Sequence, residues 1–252
     1  MILAIDIGNS TIGFGFLKDG KVERVSKIEN IPDSELFRPK LENFFTAVAE
    51  RHMPTKVIIC SVVPKSLRHI QRKVRKYLSL KALVVGRQVK IPIKNKYRHP
   101  RQVGKDRLLC AFAARELYGA PAIVIDLGTA ITFDGISGKG EYLGGAIIPG
   151  LRLSAEALFE KTALLPRVRI AEPGKVIGRS TEESIQSGLF HGYGALCDGM
   201  IERLGQEMNC KPKVVMTGGY SGVLSRYMKH PIAAVDEELI FKGIGLLGTP
   251  EN

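Results

Sequence analysis

An internal repeat constrains the fold of this chain more than any other feature of its sequence. The run IDIGNSTIGFG at 5–15 recurs 120 residues later as IDLGTAITFDG at 125–135, close to half of the 252-residue chain away. In each copy a β-rich run ends in Asp-x-Gly, turns tightly and continues into a second β-rich run. The repeat predicts a duplicated α/β architecture of two similar domains, 1–118 and 119–252, whose paired turns face each other across a cleft.

The predicted elements repeat in the same order in both halves. Strands are predicted at 2–7, 12–17, 21–28, 57–62, 82–85, 122–127, 130–136, 142–148, 214–216 and 232–235. Helices are predicted at 34–51, 106–118, 152–164, 181–208, 220–228 and 237–247, with a further helix capped by Ser66. Each half therefore opens with a three-strand meander and continues into helices.

Composition excludes several classes of protein. No run approaches the roughly 20 apolar residues that span a bilayer, and MILAIDIGNS lacks the basic start of a signal peptide. The four cysteines form no CxxC pair, which argues against a zinc site and a disulfide framework. We therefore expect a cytoplasmic protein with no membrane partner.

The first turn has the residue types of a phosphate cradle. Gly8 lets the backbone approach a ligand closely, while Asn9, Ser10 and Thr11 add small hydrogen-bonding groups beside backbone N–H groups. Asp6, at the end of the strand, would be satisfied by Mg²⁺ held through phosphates or water. The alternative is a plain hairpin turn with a solvated aspartate.

The second copy has an equivalent turn with Asp126 and Thr129, followed by two glycine pairs. Gly144-Gly145 lies in a strand, and Thr217-Gly218-Gly219 joins a strand to a helix. Such glycines permit a nucleotide or another backbone to pass close by. A diglycine is also a common turn at the end of a strand, so the pairs alone do not distinguish these roles.

Gly104-Lys105-Asp106-Arg107 is the most informative local cluster. Its aspartate stands between two cations at the start of a predicted helix, and both features favour the carboxylate form. Such a carboxylate can accept the proton of a substrate hydroxyl during phosphoryl transfer. The alternative is that Asp106 only caps the helix.

Positive charge is concentrated in one segment. Residues 51–107 contain 17 Lys and Arg and one acid, for a charge of +16, whereas the rest of the chain has a charge of −4. A basic helix at 68–76 suggests a nucleic-acid-binding or regulatory protein as the alternative function. The scarcity of aromatic residues in the segment argues against stacking on bases, and a solvated helix face explains the charge equally well.

These motifs together resemble type III pantothenate kinase, in the superfamily of acetate and sugar kinases, heat-shock chaperone ATPases and actin. Five segments match the family's motifs in order: Asp6 to Gly13, Tyr97 to Arg107, Asp126 to Gly150, Gly178 to Tyr193, and Thr217 to Gly219. The resemblance implies a duplicated ribonuclease-H-like (actin-like ATPase) fold with a nucleotide cleft between two similar domains. It also implies ATP-dependent phosphorylation of pantothenate to 4′-phosphopantothenate, the first step of coenzyme A biosynthesis.

The resemblance also implies the roles of individual residues. Asp106 would accept the proton, and Asp126 would hold a monovalent cation, K⁺ or NH₄⁺. The pantothenate-binding residues would be Tyr97, Gly104, Lys105, Asp106, Arg107 and Thr181. The residues that bind Mg²⁺-ATP would be Asp6, Ile7, Gly8, Asn9, Ser10, Thr11, Ile12, Gly13 and Thr129. Family members are homodimers whose pantothenate pocket is completed at the subunit interface.

The chain departs from the family pattern near the substrate segment. Arg98-His99 replaces the usual acidic residue and asparagine, and Lys105 stands where a small residue is usual. Both changes add positive charge. They are compatible with stronger anion capture, with altered substrate selectivity, or with a weak kinase. Another small-molecule kinase or a nucleotide hydrolase would have no reason to match Tyr97, Asp106, Arg107 and Thr181 together.

Overall fold

A computed structural model describes residues 1–31, 34–51 and 53–248. Residues 32, 33, 52 and 249–252, which the two predicted domain ranges include, lie outside the described residues. Within the described ranges, no helix combines the length and apolarity that crossing a bilayer requires. The chain divides into two compact units.

The first unit comprises residues 1–93, 99–113 and 238–252 and contains a five-stranded sheet. Its strands are β1 (Ile2–Ile7), β2 (Thr11–Lys18), β3 (Lys21–Glu29), β4 (Lys56–Ser61) and β5 (Leu83–Val84). The sheet order is β3-β2-β1-β4-β5, with β1 antiparallel to β2 and parallel to β4. The apolar run of β1 predicts this position, because a central strand is buried on both faces.

Helices cover this sheet and form its core. They are α1 (Phe37–Arg51), α2 (Pro64–Leu78), the first part of α3 (Lys105–Tyr118) and α8 (Leu239–Gly248). The stripe Leu67, Ile70, Val74 and Leu78 of α2 is buried against the sheet, as its three- and four-residue spacing predicts. Phe14 of β2 packs against Phe44 and Phe45 of α1, with ring centroids 4.0 and 6.1 Å away.

The last helix belongs to the first unit, although it ends the chain. The buried ring of Phe241 packs against Gly13 and Gly15 of β2, which lack side chains that would displace it. Gly243 of the same helix lies against Leu109 of α3. The division into compact units therefore differs from a single cut at 118 and 119, and that boundary between the two repeat copies stays a prediction.

The second unit comprises residues 94–98 and 114–237 and also contains a five-stranded sheet. Its strands are β6 (Ala122–Leu127), β7 (Ala130–Ile136), β8 (Tyr142–Pro149), β9 (Lys213–Thr217) and β10 (Ala234–Val235). Its sheet order is β10-β9-β6-β7-β8, with β6 antiparallel to β7 and parallel to β9. Counted from the outer strand of the meander, which is β8 here and β3 in the first sheet, the two sheets have the same strand order.

The helices of the second unit include one that changes its pitch. The α-helices that lie wholly in this unit are α4 (Leu151–Lys161), α5 (Thr181–Ser187), α6 (Tyr193–Glu207) and α7 (Ser221–Leu224). The helix predicted at 181–208 is observed as α5 and α6 joined by a π-helical segment, Gly188–Gly192. Such segments insert a wider turn into an α-helix and occur often at functional sites.

The shared strand order confirms the predicted duplication and the ribonuclease-H-like fold of each copy. The ungapped alignment holds through Gly8 and Gly128 and then shifts by one residue. Three residues separate β1 from β2, whereas two separate β6 from β7. Phe14 therefore corresponds to Phe133 in the strand register.

Candidate functional site

The first turn is held by a buried polar pair that sequence reasoning missed. The Asn30 side-chain amide donates to the Gly8 carbonyl at 2.7 Å, and the Ser66 hydroxyl donates to Asn30 Oδ1 at 2.8 Å. Ser66 is fully buried, and α2 begins at Pro64, so the prediction that Ser66 caps this helix is wrong. In the sequence, the only indication of this pair was that Ser66 stands on the otherwise apolar face of α2.

The predicted ATP-binding run 6–13 contains two kinds of residue. Ile7 and Ile12 are fully buried in the core, so their side chains anchor the turn. Asn9 and Thr11 are exposed, and Asp6 is half-buried at the end of β1. The Gly8 N–H closes the turn by donating to the Thr11 carbonyl at 2.9 Å. The turn thus presents short polar side chains on a rigid base.

Asp106 lies in the first turn of α3, as the sequence predicts. Its Oδ1 accepts the backbone N–H of Arg107 at 2.8 Å. The Gly104 carbonyl accepts the N–H of Leu108 at 3.3 Å, which puts Gly104 at the N-cap position. A Cβ at residue 104 would lie only 2.3 Å from Asp106 Oδ1. A glycine there leaves room for the carboxylate in its observed position.

The buried Cys60, at the end of β4, lies near both the first turn and α3. Burial, together with the carboxylates of Asp6 and Asp106, raises the pKa of this thiol well above its usual range, and Lys105 acts in the opposite direction. Asp6 pairs with Cys60 in the parallel register of β1 and β4, and Leu109 and Phe112 of α3 belong to the same buried cluster as Cys60. The first turn and the start of α3 therefore converge at the end of β4.

Lys105 has a defined position beside this cluster. A Cβ at Gly86 would lie 2.9 Å from Lys105 Cδ and Cε, so the aliphatic part of Lys105 packs on the backbone at Gly86. The side chain is half-buried, and its ammonium group acts on the same thiol as Asp106. The departure from the family pattern thus places a cation close to the candidate base.

In the second unit, the Thr217-Gly218-Gly219 turn packs against Asp126. Asp126 pairs with Thr217 in the parallel register of β6 and β9. Gly218 has a φ of +89°, and a Cβ there would lie 2.6 Å from Asp126 Oδ1. Both facts require glycine, since a side chain would be strained and would displace the carboxylate.

Two backbone carbonyl oxygens of the second turn lie close to Gly150. A Cβ at Gly150 would lie 2.4 Å from the Gly128 carbonyl oxygen and 2.5 Å from that of Thr129. Carbonyl and carboxylate oxygens are the ligands that hard cations prefer. Among the described residues, no group of three or more His, Cys, Asp or Glu side chains is placed to hold a metal ion, so any cation here depends on backbone oxygens as well.

Strand β7 contains a buried carboxylate, Asp134, to which the sequence analysis gives no role. Asp134 is 1% exposed, and its two oxygens accept the hydroxyls of Tyr142 at 2.7 Å and Thr132 at 2.9 Å. Tyr97 belongs to the segment 94–98, which runs beside β8, and its ring lies 3.1 Å from the position of a Cβ at Gly144. The network explains why a fully buried tyrosine in β8 is tolerated, because its hydroxyl has an acceptor.

Thr181 lines a groove of about 650 Å³ formed by α4, α5 and the π-helical segment. Tyr193 stands at the groove and donates to the Pro149 carbonyl at 2.8 Å, with the Ser154 hydroxyl 2.6 Å away. The residues predicted to bind pantothenate thus belong to both units: Tyr97 and Thr181 to the second, and Gly104 to Arg107 to the first.

The comparison with known proteins decides the family. A model of the family described as "Type III pantothenate kinase" matches residues 2–203. The chain belongs to the type III pantothenate kinase family. It is 44% identical over 229 residues to the "Type III pantothenate kinase" of Persephonella marina, with 90% of each chain covered. It is 40% identical to that of Sulfurihydrogenibium sp., with 98% of this chain and 99% of the relative covered.

A solved structure supports the fold independently of sequence. The structure of a putative 2-dehydro-3-deoxygalactonokinase from Sinorhizobium meliloti aligns over 100% of this chain and 99% of its own, with a TM-score of 0.61 and 14% identity. At this identity the similarity concerns the fold alone. The resemblance to type III pantothenate kinases is therefore confirmed by sequence, and the duplicated fold by structure.

Proposed function

We propose that the chain transfers the γ-phosphoryl group of ATP to the primary hydroxyl of pantothenate, which yields 4′-phosphopantothenate and ADP in the first step of coenzyme A biosynthesis. One observation supports this most strongly. The range that matches the type III pantothenate kinase family, 2–203, contains every proposed catalytic, substrate and ATP residue from Asp6 to Thr181. The match therefore covers the proposed site rather than the scaffold alone.

Asp106 is the proposed proton acceptor. The hydroxyl oxygen of pantothenate attacks the γ-phosphorus, the bond from that phosphorus to the β,γ-bridging oxygen breaks, and the hydroxyl proton passes to the Asp106 carboxylate. The Arg107 N–H and the N-terminus of α3 favour the ionised carboxylate that this step requires. Since phosphoryl transfer depends mainly on positioning, the close fit at Gly104 matters as much as basicity.

The charges of the cluster suit an anionic substrate. Pantothenate has a carboxylate, and Lys105 and Arg107 supply cations on either side of the base. Tyr97 offers a phenol beside β8, and Thr181 offers a hydroxyl in an otherwise apolar groove. Tyr97 and Thr181 are therefore proposed as pantothenate ligands from the second unit.

The two turns are the proposed sites for ATP and its cations. The polar rim of residues 6–11, with Thr129, would hold the phosphates, and Asp6 would reach Mg²⁺ through phosphates or water. The Asp126 carboxylate and the carbonyls of Gly128 and Thr129 would offer oxygen ligands of the kind that K⁺ and NH₄⁺ take. Bound cations would neutralise the charge that develops on the transferred group.

A coupled assay of ADP release with pantothenate and ATP, with and without K⁺, tests the activity. We expect release that depends on pantothenate, and a loss of about 10²- to 10⁴-fold in kcat for Asp106→Asn. Asp19→Asn, in the exposed β2–β3 turn, is the matched control and should retain full activity. An absence of pantothenate-dependent release from the wild-type protein in both buffers would overturn the proposal, whereas near-normal turnover of Asp106→Asn would overturn only the role of the base.

We also propose that the chain forms a homodimer through the second unit and acts in the cytoplasm. Exposed apolar side chains lie in the segment between α4 and α5, among them Leu164 at 92% and Ile177 at 80% exposure. Surfaces of this kind mark association sites. Four free cysteine thiols are compatible with a reducing compartment. Light scattering should give about twice the 27.6 kDa chain mass, and Ile177→Asp should halve it while Leu36→Asp, in the first unit, does not. A wild-type mass of one chain would exclude the dimer.

A further inference from the structure

The basic helix α2 forms one wall of a pocket that the proposed kinase function leaves without a role. The pocket lies between α1 and α2 in the first unit and has a volume of about 360 Å³. We call it the α1–α2 pocket; its lining residues are Phe37, Arg38, Leu41, Glu42, His69, Arg72, Lys73 and Lys76. Its size lies within the range of small-molecule sites, roughly 300–1,000 Å³.

The floor of the α1–α2 pocket is apolar and its rim is basic. Phe37 and Leu41 are 4% and 2% exposed and belong to the core, so the floor is rigid. Arg38 on α1 and Arg72 and Lys76 on α2 are exposed at the rim. Three cationic side chains, two from α2 and one from α1, therefore border one concave surface.

One acid partly offsets this charge. Glu42 is hydrogen-bonded to Lys73, and this contact lowers the pKa of Glu42, with further contributions from Lys76 and Arg38. The four cations and one carboxylate of the lining leave a charge of about +3. Like charges held this close repel one another, and an anion with several charges would relieve that repulsion.

The pKa of His69 is lowered in part by the positive charge around the pocket. Desolvation lowers its pKa first, followed by the cations of Arg72, Arg38, Lys65 and Arg68. The imidazole Nδ1 lies 3.4 Å from an Arg72 guanidinium nitrogen. Glu42, Lys73 and Lys76 are the remaining charged groups of the lining. A bound anion would favour the imidazolium form and so draw a proton onto His69.

We propose that the α1–α2 pocket binds a small anion with two or more phosphate groups. Guanidinium groups match phosphate oxygens through paired N–H donors, and lysine ammonium groups bind them as point charges. Arg38 and Arg72 lie on facing helices and Lys76 lies one turn beyond Arg72, so three donors surround one volume. The apolar floor excludes water below the anion and strengthens these contacts.

The pocket suits a small anion better than a nucleic acid. Single strands bind through exposed aromatic rings, and the one aromatic residue of the lining, Phe37, is buried in the floor. The nearby Tyr77 ring is only half-exposed, and the Lys76 ammonium lies 5.0 Å from its centroid. A concave surface of this size accommodates a few phosphates rather than an extended backbone.

Titration with inorganic tripolyphosphate tests the proposal, with calorimetry and the imidazole NMR signals of the full-length protein as readouts. The His69 signal is assigned by its loss in His69→Gln. We expect the signal to move toward imidazolium on binding, and the affinity to rise as the pH falls toward the lowered pKa of His69. Arg72→Gln/Lys76→Gln should weaken binding at the pocket at least tenfold and abolish the His69 response. The control Arg75→Gln/Lys81→Gln removes the same charge outside the lining and should stay within about threefold of the wild type.

The outcomes separate the alternatives. An unchanged His69 signal in the wild-type protein, or equal losses in the two double variants, would overturn the proposal. A 20-nucleotide single strand that binds more tightly than tripolyphosphate, and weakens equally in both double variants, would assign the surface to nucleic acid instead. Circular dichroism melting checks that each variant folds, and Arg72→Gln alone replaces the double variant if that one does not.

Discussion

A methyl group added at residue 104 tests whether the position of Asp106 controls the rate of phosphoryl transfer. In Gly104→Ala, the new Cβ would lie 2.3 Å from Asp106 Oδ1, and contacts of a Cβ below 3.0 Å are essentially absent from proteins. The carboxylate must therefore move by at least about 0.7 Å or rotate away from the Arg107 N–H. The base would remain in the protein but in the wrong place.

The size of the effect follows from that displacement. Misplacement by about 1 Å costs on the order of 10²-fold in rate, because the reacting groups lose their near-attack geometry. We expect kcat to fall by about 10²-fold, since the proton transfer to Asp106 takes place in the transition state. The double variant Gly104→Ala/Asp106→Asn should be no slower than Asp106→Asn, because the methyl group then has no base to displace.

The coupled assay of ADP release at saturating pantothenate and ATP measures this effect. Gly138→Ala is the matched control, since nothing lies within 4 Å of a Cβ there, and it should retain wild-type turnover. Urea unfolding of each variant separates a lost rate from a lost fold, because alanine is a poorer N-cap than glycine. A kcat of Gly104→Ala within about threefold of the wild type would refute the reasoning, because the shift would then have no catalytic consequence.

Three further predictions concern stability and reactivity. Phe241→Ala should lower the free energy of unfolding by about 3–5 kcal/mol in urea titrations, because it empties a buried site against β2; a loss below 1 kcal/mol would contradict that packing. With Ellman's reagent at pH 8, only the half-buried Cys210 should react rapidly, because the other three thiols are buried and the pKa of Cys197 is raised to about 12; fast reaction of more than one thiol would contradict this. Desolvation and Asp236 raise the pKa of Tyr118 to about 12, against about 10 in the unfolded chain, so the free energy of unfolding should fall as the pH rises from about 10 to 12. Tyr118→Phe should flatten that decline, and an unchanged slope would contradict the assignment.

Much of the scaffold follows from local patterns. The meanders at 2–29 and 122–149 match the expected strands within two residues at each end, because apolar runs and turn residues specify them locally. The helical stripe of α2 was predicted from spacing alone, whereas its start was misplaced. Ser66 has the residue type of a cap, but its hydroxyl is used by Asn30, 36 positions earlier in the chain. Local sequence contains no information about such a distant partner.

The repeat by itself determined the duplicated fold and the two Asp-x-Gly turns, because each depends on residues that are neighbours in the chain. Only the tertiary structure showed that α8 returns to β2 through Phe241, and that β1, β4 and α3 meet around Cys60. The same is true of the α1–α2 pocket, whose cations come from helices about thirty residues apart. Such contacts depend on how the elements pack, and no spacing along the chain specifies that packing.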